Sequence, residues 1–239
     1  MSIIYFLVSK NTVFSCIIQT EKNFIIRELP ISNIGLDTII NQLYTDFQVD
    51  LKNLKTYVID VSTRYTLVPN AVFLPTLSHE IFINTIGKPL SSESIYFNII
   101  SPFNTTIIFG KSNITNKVKS FIGPESKVSH IITDLCYYID KEKEKNSSLV
   151  FAFNNKVFLI LKINSKLVSA NCFEYDAIED IVYFILATYK SHNIESTPIL
   201  NLLSLDDAVK ADKFLHFFER VEILSDVMIN SINLNDLLK

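Results

Sequence analysis

The chain has no tryptophan, only four glycines and only three cysteines in 239 residues. Each shortage excludes something. The glycines stand far apart, at Gly35, Gly87, Gly110 and Gly123, and none follows Pro124. Dinucleotide and Walker-type phosphate loops need clustered glycines so that backbone N–H groups can close on a phosphate. Neither motif occurs. The cysteines, Cys16, Cys136 and Cys172, are odd in number and form no C-x-x-C pair. That argues against a zinc site or a redox motif. The net charge is -3 and no long basic block exists. Nucleic acid is thereby disfavoured, because clustered Lys and Arg must neutralise its phosphates. The mixed run Lys141–Lys145 reads as a solvated helix end.

Long apolar runs are missing too. The opening MSIIYFLVSKNTVF is too short for a membrane span, and it lacks a basic leader and a small-residue cleavage pattern. It reads as a first strand. With reduced thiols, the expected compartment is the cytoplasm. The four histidines, His79, His130, His192 and His216, fall in no metal-binding spacing, and no G-x-S-x-G elbow surrounds a serine. His130 falls in a strand run and reads as a satisfied core or edge residue. Asp176 and Asp180 stand one helical turn apart, but acids at a helix start ordinarily serve the helix dipole. No catalytic, cofactor or metal residue is assigned.

What the chain does have is a pattern that occurs twice. Three short apolar runs, Ile3–Val8, Thr12–Ile18 and Asn23–Leu29, open it. The same arrangement returns as Leu149–Phe153, Lys156–Ile163 and Lys166–Phe173. Each triplet reads as a three-stranded meander followed by a helix and a strand. In the first copy the helix is 35–50, with Leu36, Ile39, Ile40, Leu43 and Phe47 on one face, and the strand is Lys55–Val61. In the second copy the helix is Asp176–Tyr189 and the strand Thr197–Leu205. A further helix, Asp206–Phe218 with Asp206 as N-cap, and a strand, Arg220–Leu224, follow. Between the copies the spacing predicts a helix over Pro75–Ile86, paired strands Ser94–Ile100 and Thr105–Phe109, a helix over Asn113–Ile122, a strand Val128–Ile132 and a helix Thr133–Lys145.

The expected organisation is residues 1–65 as the core of a first half, 66–146 as its remainder with connecting strands and helices, and 147–239 as a second half. The element order indicates an α/β protein with mixed sheets. It is the plan of the actin, sugar-kinase and heat-shock ATPase superfamily, with its ribonuclease H-like fold. There, two related half-domains face each other around a cleft.

That plan makes a chemical demand. In such ATPases the turn between the first two strands of each half holds phosphate, with Asp, Gly and Ser or Thr in it. Here the two turns read Ser9-Lys10-Asn11 and Asn154-Asn155-Lys156. They suit ordinary hairpins. ATPase activity is not expected.

Two segments carry a family resemblance: Arg64-Tyr65-Thr66-Leu67-Val68-Pro69, with Phe73 close behind, and Asn171-Cys172-Phe173, then Asp180 and Tyr183-Phe184 with Leu186. Together they resemble an uncharacterised Bacteroidetes family with an actin-like ATPase fold. The resemblance runs from the first strand to about Leu205. It implies a fold and no established activity. It marks Arg64, Tyr65, Pro69, Asn171, Phe173, Asp180 and Tyr183 as motif residues, structural or lining the cleft. Pro69 is expected to end an extended segment, and Asp180 to pair with Asn171 or Arg64.

The functional expectation is a non-catalytic binding or scaffold protein on a degenerate actin-like fold. It would engage an unidentified protein partner, with a homodimer as a further option, and would need no cofactor, nucleic acid or membrane span. The alternative is a small-molecule binder or enzyme with a divergent site in the interlobe cleft.

Overall fold

A computed structural model describes residues 3–9, 13–19, 24–30, 55–122, 126–194, 198–204, 206 and 209–223, with helical backbone at Thr38 and Thr45. The chain divides into two units, Met1–Thr133 and Asp134–Lys239.

The first unit opens with an antiparallel meander: β1 (Ile3–Val8), β2 (Val13–Gln19) and β3 (Phe24–Pro30). β4 (Lys55–Asp60) then pairs parallel to β1, with Ile3 opposite Lys55 and Val8 opposite Asp60. Residues 56–61 are all buried, as a strand between two parallel neighbours requires. β5 (Tyr65–Pro69) leads through two 3-10 turns into α1 (Ser78–Ile86). Gly87 stops that helix at φ 101°, a conformation that favours glycine. β6 (Glu93–Ile100), β7 (Thr105–Ser112), α2 (Asn113–Ile122) and β8 (Lys127–His130) follow, and α3 (Ile131–Lys141) starts here, with its residues from Asp134 onward belonging to the second unit.

These strands make two sheets, β3-β2-β1-β4-β8 and β5-β7-β6. In the smaller, antiparallel sheet, Val68 and Ile108 pack with Phe82 of α1 in a local core ringed by Phe73, Ile81, Ile86, Ile95 and Phe97. β8 is an edge of the larger sheet, and Asn98 of β6 covers it. Its amide donates to the Val128 carbonyl at 3.5 Å and accepts from the His130 N–H at 2.9 Å. One side chain thus satisfies a donor and an acceptor that a further strand would otherwise take.

The second unit repeats the plan. β9 (Ser147–Phe153), β10 (Lys156–Ile163) and β11 (Lys166–Glu174) form the meander, followed by α4 (Ile178–Ser191), β12 (Ile199–Ser204) and the short β13 (Val221–Ile223). The order is β11-β10-β9-β12-β13, the first unit's β3-β2-β1-β4-β8 over again. β9 runs parallel to β12 as β1 does to β4. The duplicated pattern in the sequence is therefore a duplicated topology. Ile181, Val182, Ile185 and Tyr189 of α4 pack over Val150, Val157, Leu159, Leu161, Leu200 and Leu202. Lys162, almost fully buried on β10, donates its ammonium to the carbonyls of Ile139 and Glu142 at the end of α3. Cations favour that helix end.

Three expectations meet different structure. Among the described residues of the helix expected over Asp206–Phe218, the structure has one 3-10 turn, Ala211–Lys213, with short-range turns after it. Asp206 is no helix N-cap: its carboxylate accepts the Tyr175 hydroxyl at 2.6 Å and its N–H donates to Ser204 Oγ. It pins the exit from β12. The helix expected to begin at Thr133 begins at Ile131, because the His130 Nδ1 accepts the Ile132 N–H and caps it. It ends at Lys141, the first residue of the charged run. The helix at 35–50, the turn at 10–12 and the tail beyond 223 lie outside the described residues, apart from helical Thr38 and Thr45.

Candidate functional site

In open α/β sheets, ligands sit at the carboxyl ends of the parallel strands. In the first unit those ends carry Ser9, Asp60, Ser62 and His130, all buried. Asp60 is the centre. Its Oδ1 accepts the Ser62 N–H at 2.9 Å, and its Oδ2 accepts the Ser112 N–H at 3.1 Å and the Thr115 hydroxyl at 2.6 Å. Ser112 is the residue before α2, and its Oγ accepts the Thr115 N–H at 3.1 Å. The Thr115 hydrogen is committed to Asp60, so in the Ser112–Thr115 contact at 3.0 Å it is Ser112 that donates. A Ser-x-x-Thr helix start is thus completed by an aspartate from a distant strand, in the place that a third-position Glu takes in a capping box.

Burial pushes the Asp60 carboxyl up to about 6, against the three hydrogen bonds and nearby Lys111. Lys111 is itself nearly buried, with its ammonium 4.2 Å from the centre of the Tyr96 ring, and burial lowers its pKa. His130 is fully buried. Its Nδ1 accepts from Ile132, so its Nε2 carries the hydrogen and donates to the Ser62 carbonyl at 2.8 Å. Burial brings its pKa down to about 3, so the ring is neutral at pH 7. The expected satisfied core histidine is what the structure contains. Chemically, this arrangement is a joint. The carboxylate is held by three donors and both imidazole nitrogens are engaged, so proton transfer to a substrate would first have to break the cap of a helix.

The first motif segment begins beside this joint. The Arg64 N–H donates to Ser62 Oγ, and its carbonyl accepts from Gly110. Its guanidinium donates to Glu93 at 3.2 Å and to the Lys88 carbonyl at 2.7 Å, and lies 5.6 Å from the Phe82 ring centre. The Glu93 side chain is 1% exposed and also accepts from the Leu90 N–H. A Cβ on Gly110 would stand 3.0 Å from the Glu93 carboxyl carbon. Gly110→Ala should therefore push the carboxylate off Arg64 and cost about 1–2 kcal/mol in a urea titration. Tyr65 lies half-buried with its ring 5.1 Å from that of His130. Pro69 ends β5 and starts the 3-10 turn Asn70–Val72, as its lack of an N–H predicts.

The second motif segment is in the other unit. Asp180 accepts the N–H groups of Ala177 at 2.9 Å and Asp176 at 3.0 Å, which hold its carboxyl below the ordinary value. It caps α4. The partners expected of it have others: Asn171, exposed on β11, donates to Ser169 Oγ, and Arg64 is taken by Glu93. Phe173 stacks on Phe184 with centroids 4.4 Å apart, and Tyr183 meets Phe184 edge-on at 5.7 Å. The structure brings Phe173 and Tyr183 together through Phe184. Tyr183 itself is 67% exposed.

Sequence reasoning missed Asp60, Glu93 and Thr115. A readable signal existed for one of them, the Ser112-x-x-Thr115 spacing ahead of an amphipathic run. Among the described residues, no group of three His, Cys, Asp or Glu could hold a metal ion. Burial pushes the Cys172 thiol up to about 12, and that of buried Cys136 well above its ordinary value. No helix among the described residues is long and apolar enough to cross a membrane.

The model of a family described as protein of unknown function, DUF3822, matches residues 2–219. The chain belongs to this family. No curated protein matches the sequence. Among solved structures, this DUF3822 protein is similar to a Bacteroides thetaiotaomicron protein with an actin-like ATPase fold and unknown function. That match has a TM-score of 0.71 and 19% identity over 93% of this chain and 90% of the other. It is also similar to the cytoplasmic domain of EpsL, an inner membrane component of the Vibrio cholerae type II secretion system. Here the TM-score is 0.60 and the identity 10%, over 98% and 95% of the two chains. A third match is the PilM–PilN type IV pilus biogenesis complex, with a TM-score of 0.56 and 11% identity over 92% and 87%. At these identities the likeness establishes the fold, which is actin-like, as the twice-repeated sheet order requires.

Proposed function

We propose that this DUF3822 protein is a non-catalytic binding or scaffold protein whose actin-like fold has lost its phosphate-holding loops. The observation that carries the reading is the β9–β10 turn. It consists of Asn154 and Asn155 alone, at φ 50° and 53°. Two successive residues of positive φ make a tight hairpin turn. The turn contains neither the carboxylate that would orient a metal or water nor the glycine that lets backbone N–H groups approach a phosphate. Asp60 supports the reading from the first unit, because its acceptor positions are taken by the Ser62 N–H and the cap of α2. EpsL and the PilM–PilN pair are parts of larger assemblies by description, and offer a precedent for this fold as a component that binds other proteins. On this reading Arg64, Asp180 and Pro69 are structural: an anchor, a cap and a strand terminator.

Calorimetry with ATP and Mg²⁺, run beside a phosphate-release assay, tests the proposal. No binding heat and no release above background are expected. Binding accompanied by turnover that substitutions at Asn154 and Asn155 abolish would overturn it.

A further inference from the structure

We propose that α4 is a homodimer contact, packing antiparallel on the same helix of a second copy about a two-fold axis. Four of its residues point outward in one stripe: Glu179, Tyr183, Leu186 and Lys190. Tyr183 is 67% and Leu186 41% exposed. The spacings of four, three and four average about 3.7 residues, close to the 3.6 of the helical turn, so the stripe runs almost straight along the helix. The opposite side of α4, with Ile181, Val182, Ile185 and Tyr189, is spent on the core of its own unit.

The stripe is complementary to itself in one orientation. A two-fold axis passing midway between positions 184 and 185 sets Glu179 against the partner's Lys190 and Tyr183 against the partner's Leu186. The same two contacts recur on the other side of the axis, as an isologous interface demands. The centre is then apolar and both ends are oppositely charged. A parallel pairing would instead set Glu179 against Glu179 and Lys190 against Lys190. Antiparallel packing also opposes the two helix dipoles favourably. Tyr183 is prepared for this role: its ring rests edge-on against Phe184, which is stacked on Phe173. A rotamer already supported in the free chain loses less entropy on association.

One short helix buries less than the roughly 800 Å² per partner of a standard interface, so dissociation in the micromolar range or weaker is expected. The seam does not depend on the function proposed above, and it would stand if the chain bound nucleotide.

Sedimentation of the full chain across a concentration series tests it. Tyr183→Asp should weaken self-association by about tenfold or more. Glu179→Lys alone and Lys190→Glu alone should each weaken it, since each puts like charges together. Mixing these two variants should restore association, and so should the double exchange within one chain. Thermal melts of each variant check that these exposed changes leave the fold intact. A chain that stays monomeric at every concentration overturns the proposal. So does a dimer indifferent to Tyr183→Asp, or one whose charge variants fail to rescue each other, since another surface or another partner would then be at work.

Discussion

Replacing Asp60 with alanine is expected to cost about 3 kcal/mol of native stability at pH 7, because it strands three buried donors at once. The Ser62 and Ser112 N–H groups and the Thr115 hydroxyl all point at that carboxylate. None can turn to water without unmaking the end of β4 or the start of α2. Hydrogen exchange should show the loss locally, with the first turn of α2 losing protection before the rest of the unit. Thr115→Val alone should cost less, since it removes one donor and leaves the other two paired. In the Asp60→Ala background Thr115→Val should cost less still, and that non-additivity is the signature of a shared network. Equal costs in both backgrounds would mean that Asp60 and Thr115 act separately.

The pH dependence of the same residue has a sign opposite to that of most paired carboxylates. Burial raises the folded carboxyl from its ordinary 3.8 to about 6. A raised folded value means that the native state binds the proton more tightly than the unfolded chain. The contribution is therefore fully present below about pH 4 and is lost as pH rises through about 6. The separation corresponds to about 3 kcal/mol. Asp60→Asn cannot titrate, so the stability of the native protein relative to this variant should fall by about that amount between pH 4 and pH 7. A difference that grows with pH would mean that the three donors outweigh desolvation.

Phe214→Ala is expected to cost about 4 kcal/mol, in the range for a fully buried aromatic. Phe214 is 0% exposed and lies near Phe218, with ring centroids 6.3 Å apart, and Phe218 meets Tyr189 of α4 edge-on. The segment around it has one 3-10 turn and little regular backbone bonding of its own, so buried side chains must hold it in place. Losing the Phe214 ring should release residues 209–218, and β13 with them. Limited proteolysis should then cut near His216 while β9 and β10 stay protected. Cleavage no faster than in the native protein would show that the segment is held by something other than this ring.

That segment also illustrates why part of the fold was not legible beforehand. The run Asp206–Phe218 has helical spacing, and local spacing favoured a helix. Asp206 is instead drawn to the Tyr175 hydroxyl, and the phenylalanines find a hydrophobic surface assembled from β9, β10, β12 and α4. Such a surface exists only once the sheet has formed, so no window of the sequence can display it. Asp60 was hidden for the same reason: its donors lie two, fifty-two and fifty-five residues away. Tyr183 was legible as a motif residue, but its exposure was not. Helical periodicity marks the side that is buried, and an exposed tyrosine next to Phe184 looks from sequence like one more core aromatic.

The sequence by itself determined the doubled meander, the helices over Pro75–Ile86 and Asn113–Ile122, the core strand at Lys55–Val61 and the Asn-Asn hairpin. These follow from side-chain alternation, helical period and tolerance of positive φ, which act between near neighbours. Only the tertiary structure decided which polar residues became caps and which aromatic faced water. Those outcomes rest on pairings across distant elements, where desolvation and hydrogen bonding are settled together. The scarcity of glycine motivates the proposed loss of phosphate-holding loops, and the inward-turned Asp60 and outward-turned Tyr183 are the features that tertiary structure adds to it.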